Sequence, residues 1–281
     1  MIRKKWFLPM VGVFLGLAFG CVRATQGPAP ASTAGGAEFV VAETVAKPPP
    51  QDAGAVLKNM ADFISRTKSF SVTLRDGYDA VQASGQKIGF GEIRQITVER
   101  PQNLRVDLTQ SDGDKAQLIY DGREISFASS SDKIYAITPK PGSLDDAVKY
   151  LVGDLKVRLP LAMMLLSTFP AELEQRVTAA DYVEFDTITT PPSHHVAART
   201  DAVDFQVWVN AEGNPLPQQV IITYKLEEGQ PQFWAEFKNW NLAPSISPAQ
   251  FVFTPPQGAE KIPFLADLRE SASALQKKGG K

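Results

Sequence analysis

The sequence predicts an α+β fold in which an antiparallel sheet carries helices on one face, and three observations predict it. Apolar residues recur at helical spacing between Asp52 and Arg66, and the period changes to two from Ser69 to Pro139. The alternation resumes from about Tyr182 to Asn241 after an apolar, helix-like interruption. Connections within the first alternating stretch are short and rich in Gly, Pro, Asp and Ser, as hairpins between antiparallel neighbours require. With 281 residues, 43% hydrophobic and 21% charged, the chain is long enough for a sizeable core and unlike a disordered, collagen-like or coiled-coil sequence.

The first segment reads as an address. Arg3, Lys4 and Lys5 precede an uncharged stretch from Trp6 to Phe19, the order of a secretory signal. As a helix that stretch reaches roughly 21 Å at about 1.5 Å per residue, short of the ~30 Å hydrocarbon core, so residues 1–20 suit an export signal better than a permanent span. Ala18-Phe19-Gly20-Cys21 resembles the lipobox of bacterial lipoproteins. That resemblance implies that Cys21 is acylated and becomes the mature N-terminus, a lipid anchor to the membrane. The residues leave open cleavage after Val22-Arg23-Ala24, or a retained N-terminal helix. Residues 21–51, with Gly27, Pro28, Pro30, Gly35, Gly36 and Pro48-Pro49-Pro50, read as a flexible tether. The residue after Cys21 is Val22 rather than the aspartate that commonly retains lipoproteins in the inner membrane, so the same resemblance implies the periplasmic side of the envelope and an outer-membrane destination.

The domain proper is expected over residues 52–265. Asp52 occupies an N-cap position, and Val56, Leu57, Met60, Phe63 and Ile64 form one apolar helix face. About six strands follow, carried by Val72/Leu74, Leu104/Val106/Leu108, Leu118/Tyr120, Ile125/Phe127 and Ile134/Ala136. Turn signals are read at Arg75-Asp76-Gly77, Arg100-Pro101, Ser111 to Asp114, Asp121-Gly122 and Ser129 to Asp132. Ser143 caps a helix with Asp145 and Asp146 in its first turn and Leu144, Val148, Leu151 and Leu155 on one face. Pro160 then opens a short helix, Leu161 to Leu166, that is apolar all round and is expected to be buried as a core plug or as a lid over a cavity. A further short helix is expected around Ala171 to Val177. In the last strands Val203/Phe205/Val207/Val209, Val220/Ile222/Tyr224/Leu226 and Phe233/Ala235/Phe237 point inward, and Trp208, Trp234 and Trp240 fall on the opposite face. The sheet is therefore expected to have one side under helices and part of the other under chain ends. Residues 266–281 are expected to form a C-terminal helix or tail, the helical pattern running from Leu265 to Gln276.

Most chemistry is absent from the sequence. The 29 basic and 31 acidic residues lack the basic surplus of a nucleic-acid binder, and without residues 1–20 the balance becomes 26 against 31, net −5, which disfavours adhesion to anionic lipid. One cysteine allows no intrachain disulfide and no Cys-rich zinc site. No nucleophile elbow, phosphate loop or zinc-protease helix occurs, so no catalytic residue, metal or cofactor is assigned. His194 and His195 are adjacent, and strand neighbours point to opposite faces, so a shared metal or general-base role is disfavoured. Asp112 and Asp114 flank Gly113 as in a plain hairpin turn rather than a calcium loop. The suggestive constellation is apolar: Met163, Met164, Leu165, Leu166 and Phe169 with the inward Phe205 and Val207 read as the wall of a ligand cavity, methionine repacking at little cost around varied chains, with a filled core as the competing reading.

One helix, a six-strand meander, a helical insertion and further antiparallel strands is the element order of the LolA/LolB type of lipoprotein carrier and of related predicted periplasmic proteins. Gly89-Phe90-Gly91, Arg100-Pro101-Gln102-Asn103-Leu104-Arg105-Val106 and Asp121-Gly122-Arg123 resemble that family's local motifs over about residues 52–245. The resemblance implies a strongly curved antiparallel half-barrel of roughly ten strands, with helices closing the concave face over an interior that holds acyl chains. The expected function is then a non-enzymatic exported lipoprotein that binds a lipid or acyl chain. The alternatives are an envelope module with a filled core that binds a protein partner, and, less favoured, an uncharacterised hydrolase.

Overall fold

The computed structural model describes residues 49–264, except 156 and 158. The export signal, Cys21, most of the tether, and the C-terminal helix expected from Leu265 lie outside the described residues. Asp52 caps α1 (Ala53–Arg66) through Oδ1, which accepts from Ala55 N at 3.1 Å, and the helix buries Val56, Leu57, Met60 and Ile64 along one stripe. Six antiparallel strands follow: β1 (Ser69–Val81), β2 (Lys87–Glu99), β3 (Asn103–Gln110), β4 (Lys115–Asp121), β5 (Glu124–Ser129) and β6 (Ile134–Pro139). The helical insertion comprises α2 (Leu144–Gly153), a 3-10 helix (Ala162–Leu165) and α3 (Phe169–Arg176). Ser143 and Asp146 cap α2 reciprocally. The chain returns as β7 (Ala179–Asp186), β8 (Ser193–Arg199), β9 (Val203–Asn210), β10 (Pro217–Tyr224) and β11 (Gln232–Asn241), and closes with β12 (Glu260–Lys261).

These strands form one open, curved sheet in the order β12-β6-β5-β4-β3-β2-β1-β11-β10-β9-β8-β7. The last hairpin strand, β11, therefore lies beside the first strand, β1, and the two meanders join at the centre of the sheet. Twelve strands exceed the roughly ten expected, partly because the C-terminal chain adds β12 in parallel to β6, Glu260 N donating to Lys133 O at 2.9 Å. Before that addition a 3-10 turn, Pro248–Phe251, crosses the outer side of β3 and β4, and Arg105 Nη1 donates to Gln250 O at 2.9 Å. The outward-facing Ile119 and Ala128 are buried on that side with Phe251, so chain-end cover of the second face is observed.

Three expectations are corrected. Arg75-Asp76-Gly77 is no turn but the middle of β1, and the hairpin lies at Gln82–Gln86 instead. Glycine stands at 77 because the Trp234 ring covers it: an added Cβ would meet Trp234 Cζ2 at 2.7 Å and Phe90 O at 2.6 Å. The apolar run after Pro160 is a four-residue 3-10 helix rather than a helix over Leu161 to Leu166, and only Leu165 and Leu166 are buried. It is entered through Leu161 with left-handed backbone (φ 64°), a conformation that prevents a regular helical start. Finally, Trp240 lies on the helix side of the sheet, not with Trp234. One extra β11 residue intrudes between the pairs Ser71–Asn241 and Thr73–Lys238, Asn239 takes φ 54°, and the bulge reverses the alternation. Trp240 then stacks on Phe237 (5.7 Å, 7°) and donates from Nε1 to Pro217 O at 3.1 Å.

Replacing Phe251 with alanine is expected to destabilise the domain by about 3 kcal/mol, read as a lower urea midpoint, whereas Val252→Ala at the neighbouring exposed position should change little. An equal response of the two variants would show that the outer cover is not structural.

Candidate functional site

The inner face of the sheet is built in rows, because paired residues on neighbouring antiparallel strands point the same way. At the helix end the row Phe70–Val98–Leu104–Tyr120–Ile125 is buried throughout, and the Tyr120 hydroxyl donates to Gly142 O at 2.9 Å in the chain that leads to α2. At the other end lies the row Phe205–Ile222–Phe233–Tyr78–Phe90, of which only Phe233 is fully buried. Between them runs Val207–Val220–Ala235–Asp76–Glu92, apolar along three strands and carboxylate-bearing on the next two.

All seven residues expected to line a cavity enter one apolar cluster shared by the sheet and the helices. Leu165, Leu166, Phe169 and Val207 are buried in it, and Met163, Met164 and Phe205 are half-buried at its margin. The 3-10 helix that carries the methionines is fastened by polar contacts on two sides. Arg100, in the turn after β2, donates from Nη1 to Leu165 O at 2.5 Å and from Nε to Thr67 O at 3.2 Å, so one guanidinium ties the end of α1 to the end of the 3-10 helix. Asp145 in the first turn of α2 accepts from Ser167 N at 3.0 Å and from Ser167 Oγ at 2.6 Å. These bonds add directional contacts to a segment that buries Leu165, Leu166 and Phe169 and leaves Met163 and Met164 half-buried.

A polar group not anticipated from the sequence interrupts the inner face. Asp76 on β1 is 0% exposed, Glu92 lies opposite it on β2, and Arg94 lies two residues along the same strand face. Arg94 Nη2 is 3.2 Å from Asp76 Oδ2 and pairs closely with Glu92 Oε1. The guanidinium bonds to Glu92; the Asp76 oxygens have no aligned N–H donor, and the protonated carboxyl has Glu92 as its acceptor. Burial pushes the Asp76 carboxyl up to about 8, Arg94 pulling against the rise and Glu92 adding to it. The sequence signal was present as charged residues at inward positions of two alternating strands, but Asp76 sits beside Gly77 and mimics a turn.

The histidines and the acidic turn serve other ends. His194 faces inward to Tyr182 (Nδ1 to the hydroxyl, 3.2 Å), and burial pushes its imidazole pKa down. His195 faces outward, stacked on Trp208 at 3.9 Å and 12°, with Nε2 3.0 Å from Gln206 Oε1. The two rings are thus on opposite faces. Asp112 and Asp114 form the β3–β4 hairpin turn, Asp112 Oδ1 accepting from Asp114 N at 3.2 Å. A surface groove of about 680 Å³ runs between α1 and the β9–β10 hairpin, bordered by Asn59, Phe63, Arg66, Val209 and Pro215. Its lining includes none of the seven residues expected to form a cavity.

The Asp76 carboxyl sets a pH dependence. Unfolded, it titrates near the ordinary carboxylate value of 3.8; folded, it titrates at about 8. Between those values the folded state binds the extra proton, so stability falls as pH rises from about 4 to about 8, with a slope approaching ~1.4 kcal/mol per pH unit from this group. Urea unfolding across that range should show the slope in the native chain and a flatter profile in Asp76→Asn. An unchanged profile would remove Asp76 as its source.

Among solved structures, an uncharacterised conserved protein from Thermus thermophilus is similar at 10% identity and TM-score 0.43, over 76% of this chain and 99% of that one. The Mycobacterium tuberculosis lipoprotein LppX is similar at 13% identity and TM-score 0.43, over 69% and 98%. A LolA superfamily protein from Nitrosomonas europaea is similar at 12% identity and TM-score 0.37, over 72% and 97%. No curated protein matches the chain. The model of one protein family matches residues 53–265, from the first residue of α1 to just past the last described residue. By that match the chain belongs to DUF2092, a family of predicted periplasmic proteins.

Proposed function

We propose that the protein is a non-catalytic envelope lipoprotein that holds an acyl chain, or another apolar envelope component, against the inner face of its sheet. The observation that carries this reading is the cover over that face. Met163 and Met164 continue the apolar cluster yet stay half-buried on a short 3-10 helix fastened through Arg100 and Asp145. Each methylene moved from water into such a site contributes ~0.8 kcal/mol, so a hydrocarbon chain needs no directional contact to bind, and methionine adapts to its shape. Membership of a family of predicted periplasmic proteins supports export. Acylation at Cys21 would then place the domain on a tether at the membrane, with the outer membrane as its destination.

A second reading rests on the outer face, where Trp208 and Trp234 are half-buried beside Ile221, and Ile93 is 47% exposed. Such a surface suits an envelope protein partner.

The chain purified from envelope membranes is expected to release lipid on extraction with organic solvent, and Met164→Arg is expected to lower that yield severalfold while leaving the far-UV spectrum intact. A native chain that releases no lipid and binds no acyl probe would refute the binding reading and leave the protein-partner reading. In a separate test, Cys21→Ala is expected to abolish acyl labelling and to move the protein from the membrane to the soluble fraction. Equal labelling and partition of the two forms would exclude the anchor.

A further inference from the structure

We propose that the free edge of β7 is a docking site for an extended, basic segment of an envelope protein, which pairs with it as one more strand of the sheet. The inference is independent of the lipid-binding reading and uses a different surface from the face that carries Trp208 and Trp234.

The two edges of the sheet are finished differently. At one, the C-terminal chain adds β12 beside β6 and ends the sheet in a strand of two residues, too short to template another. At the other, β7 runs for eight residues and pairs with β8 alone. Successive residues of a strand turn their N–H and C=O groups to opposite sides, so about half of the β7 main-chain groups point away from β8. Among the described residues, no hydrogen bond from outside the β8 ladder reaches the main chain between Ala179 and Phe185. Apolar side chains are exposed at the same edge, Val183 at 49% and Ile188, in the loop that follows, at 93%.

The side chains of β7 specify what can pair there. On the inner face Ala180, Tyr182 and Phe185 lie opposite Ala198, Val196 and His194 and are half-buried. On the outer face Asp181 and Glu184 lie opposite Ala197 and His195 and are exposed. Glu184 Oε1 is 3.7 Å from His195 Nδ1, and neither carboxylate has a lysine or arginine partner among the described residues. An incoming strand therefore meets apolar groups with one face and carboxylates with the other. A segment that alternates apolar residues with lysine or arginine matches both.

Charge also decides against a second copy of this chain. Two β7 edges laid together would gather their carboxylates in one sheet, whereas each cation of a basic strand gains a neighbour of opposite sign. Val183 is extra to the β8 pairing and bulges between Tyr182 and Glu184, which divides the edge into two short stretches and keeps the paired segment short.

Binding of the full chain to a blocked seven-residue peptide of alternating valine and lysine tests this, read by anisotropy of the labelled peptide and by amide exchange of the protein. The lysine peptide is expected to bind at least about tenfold more tightly than its glutamate counterpart and to slow exchange in Ala179–Asp186. Two further versions, N-methylated on one or the other alternate set of amides, keep every side chain but lose the donors of one edge. One of them is expected to bind about tenfold more weakly. Asp181→Lys together with Glu184→Lys, both at exposed positions, should reverse the preference between the lysine and glutamate peptides. Unchanged exchange in β7, or full affinity in both N-methylated versions, overturns the edge pairing. Equal affinity for the lysine and glutamate peptides overturns the basic partner. If no peptide binds, the proposal fails and the lipid reading is untouched. The N-methylated peptides are compared on the native chain, so they decide the matter even if the double variant does not fold.

Discussion

An open sheet of twelve strands has a large apolar inner face and no second sheet among the described residues to cover it, and this constraint organises the rest of the molecule. Within those residues, water must be excluded by three short helices of 14, 10 and 8 residues and one 3-10 turn. That is enough to bury the helix-end row from Phe70 to Ile125, but the far row, with Tyr78, Phe90, Ile222 and Phe205, stays half-buried. The incomplete cover gives the domain an apolar surface that is stable and yet reachable. A hydrocarbon chain is one way to complete the burial that the protein begins.

The polar groups around this face are consistent with the same constraint. Arg100 bonds to main-chain carbonyls of α1 and the 3-10 helix, and Asp145 bonds to Ser167, so the cover is held at its ends by a few directional contacts. Each such bond contributes only about 1 kcal/mol net, less than the burial of Leu165, Leu166 and Phe169 in the cluster that the cover shares with the sheet. The outer side is treated differently. There Phe251 and β12 seal the β3–β6 half, while Trp208 and Trp234 on the other half remain half-buried.

The cluster of Asp76, Glu92 and Arg94 contradicts the apolar logic of its surroundings, and a stability argument alone does not account for it. Apolar residues at these positions would pack the central hairpin without the desolvation of two carboxylates. Retaining them at the junction of the two meanders, where β1 pairs with both β2 and β11, places a titratable charge at the centre of the inner face. The protonation of Asp76 is thereby linked to the stability of the sheet.

What the sequence determined by itself is what depends on neighbours within one turn or one hairpin. The N-caps at Asp52 and Ser143, the six-strand meander, most of its turns, and the inward series of β9 to β11 were legible because local periodicity and turn chemistry encode them directly, except that Leu226, read as inward, is 79% exposed beyond the end of β10. The tertiary structure decided whatever depends on a partner distant in the chain. Gly77 reads as a turn until Trp234, more than a hundred residues later, is seen to occupy the space of its side chain. Trp240 reads as outward until a bulge, registered only against β1, turns it inward. Asp76, Glu92 and Arg94 read as ordinary polar residues until cross-strand pairing brings them together and burial removes the water that would have kept them apart. The sequence thus supplied Met163, Met164 and Val207 as members of one apolar cluster, and only the pairing of the strands placed Asp76, Glu92 and Arg94 on the same face.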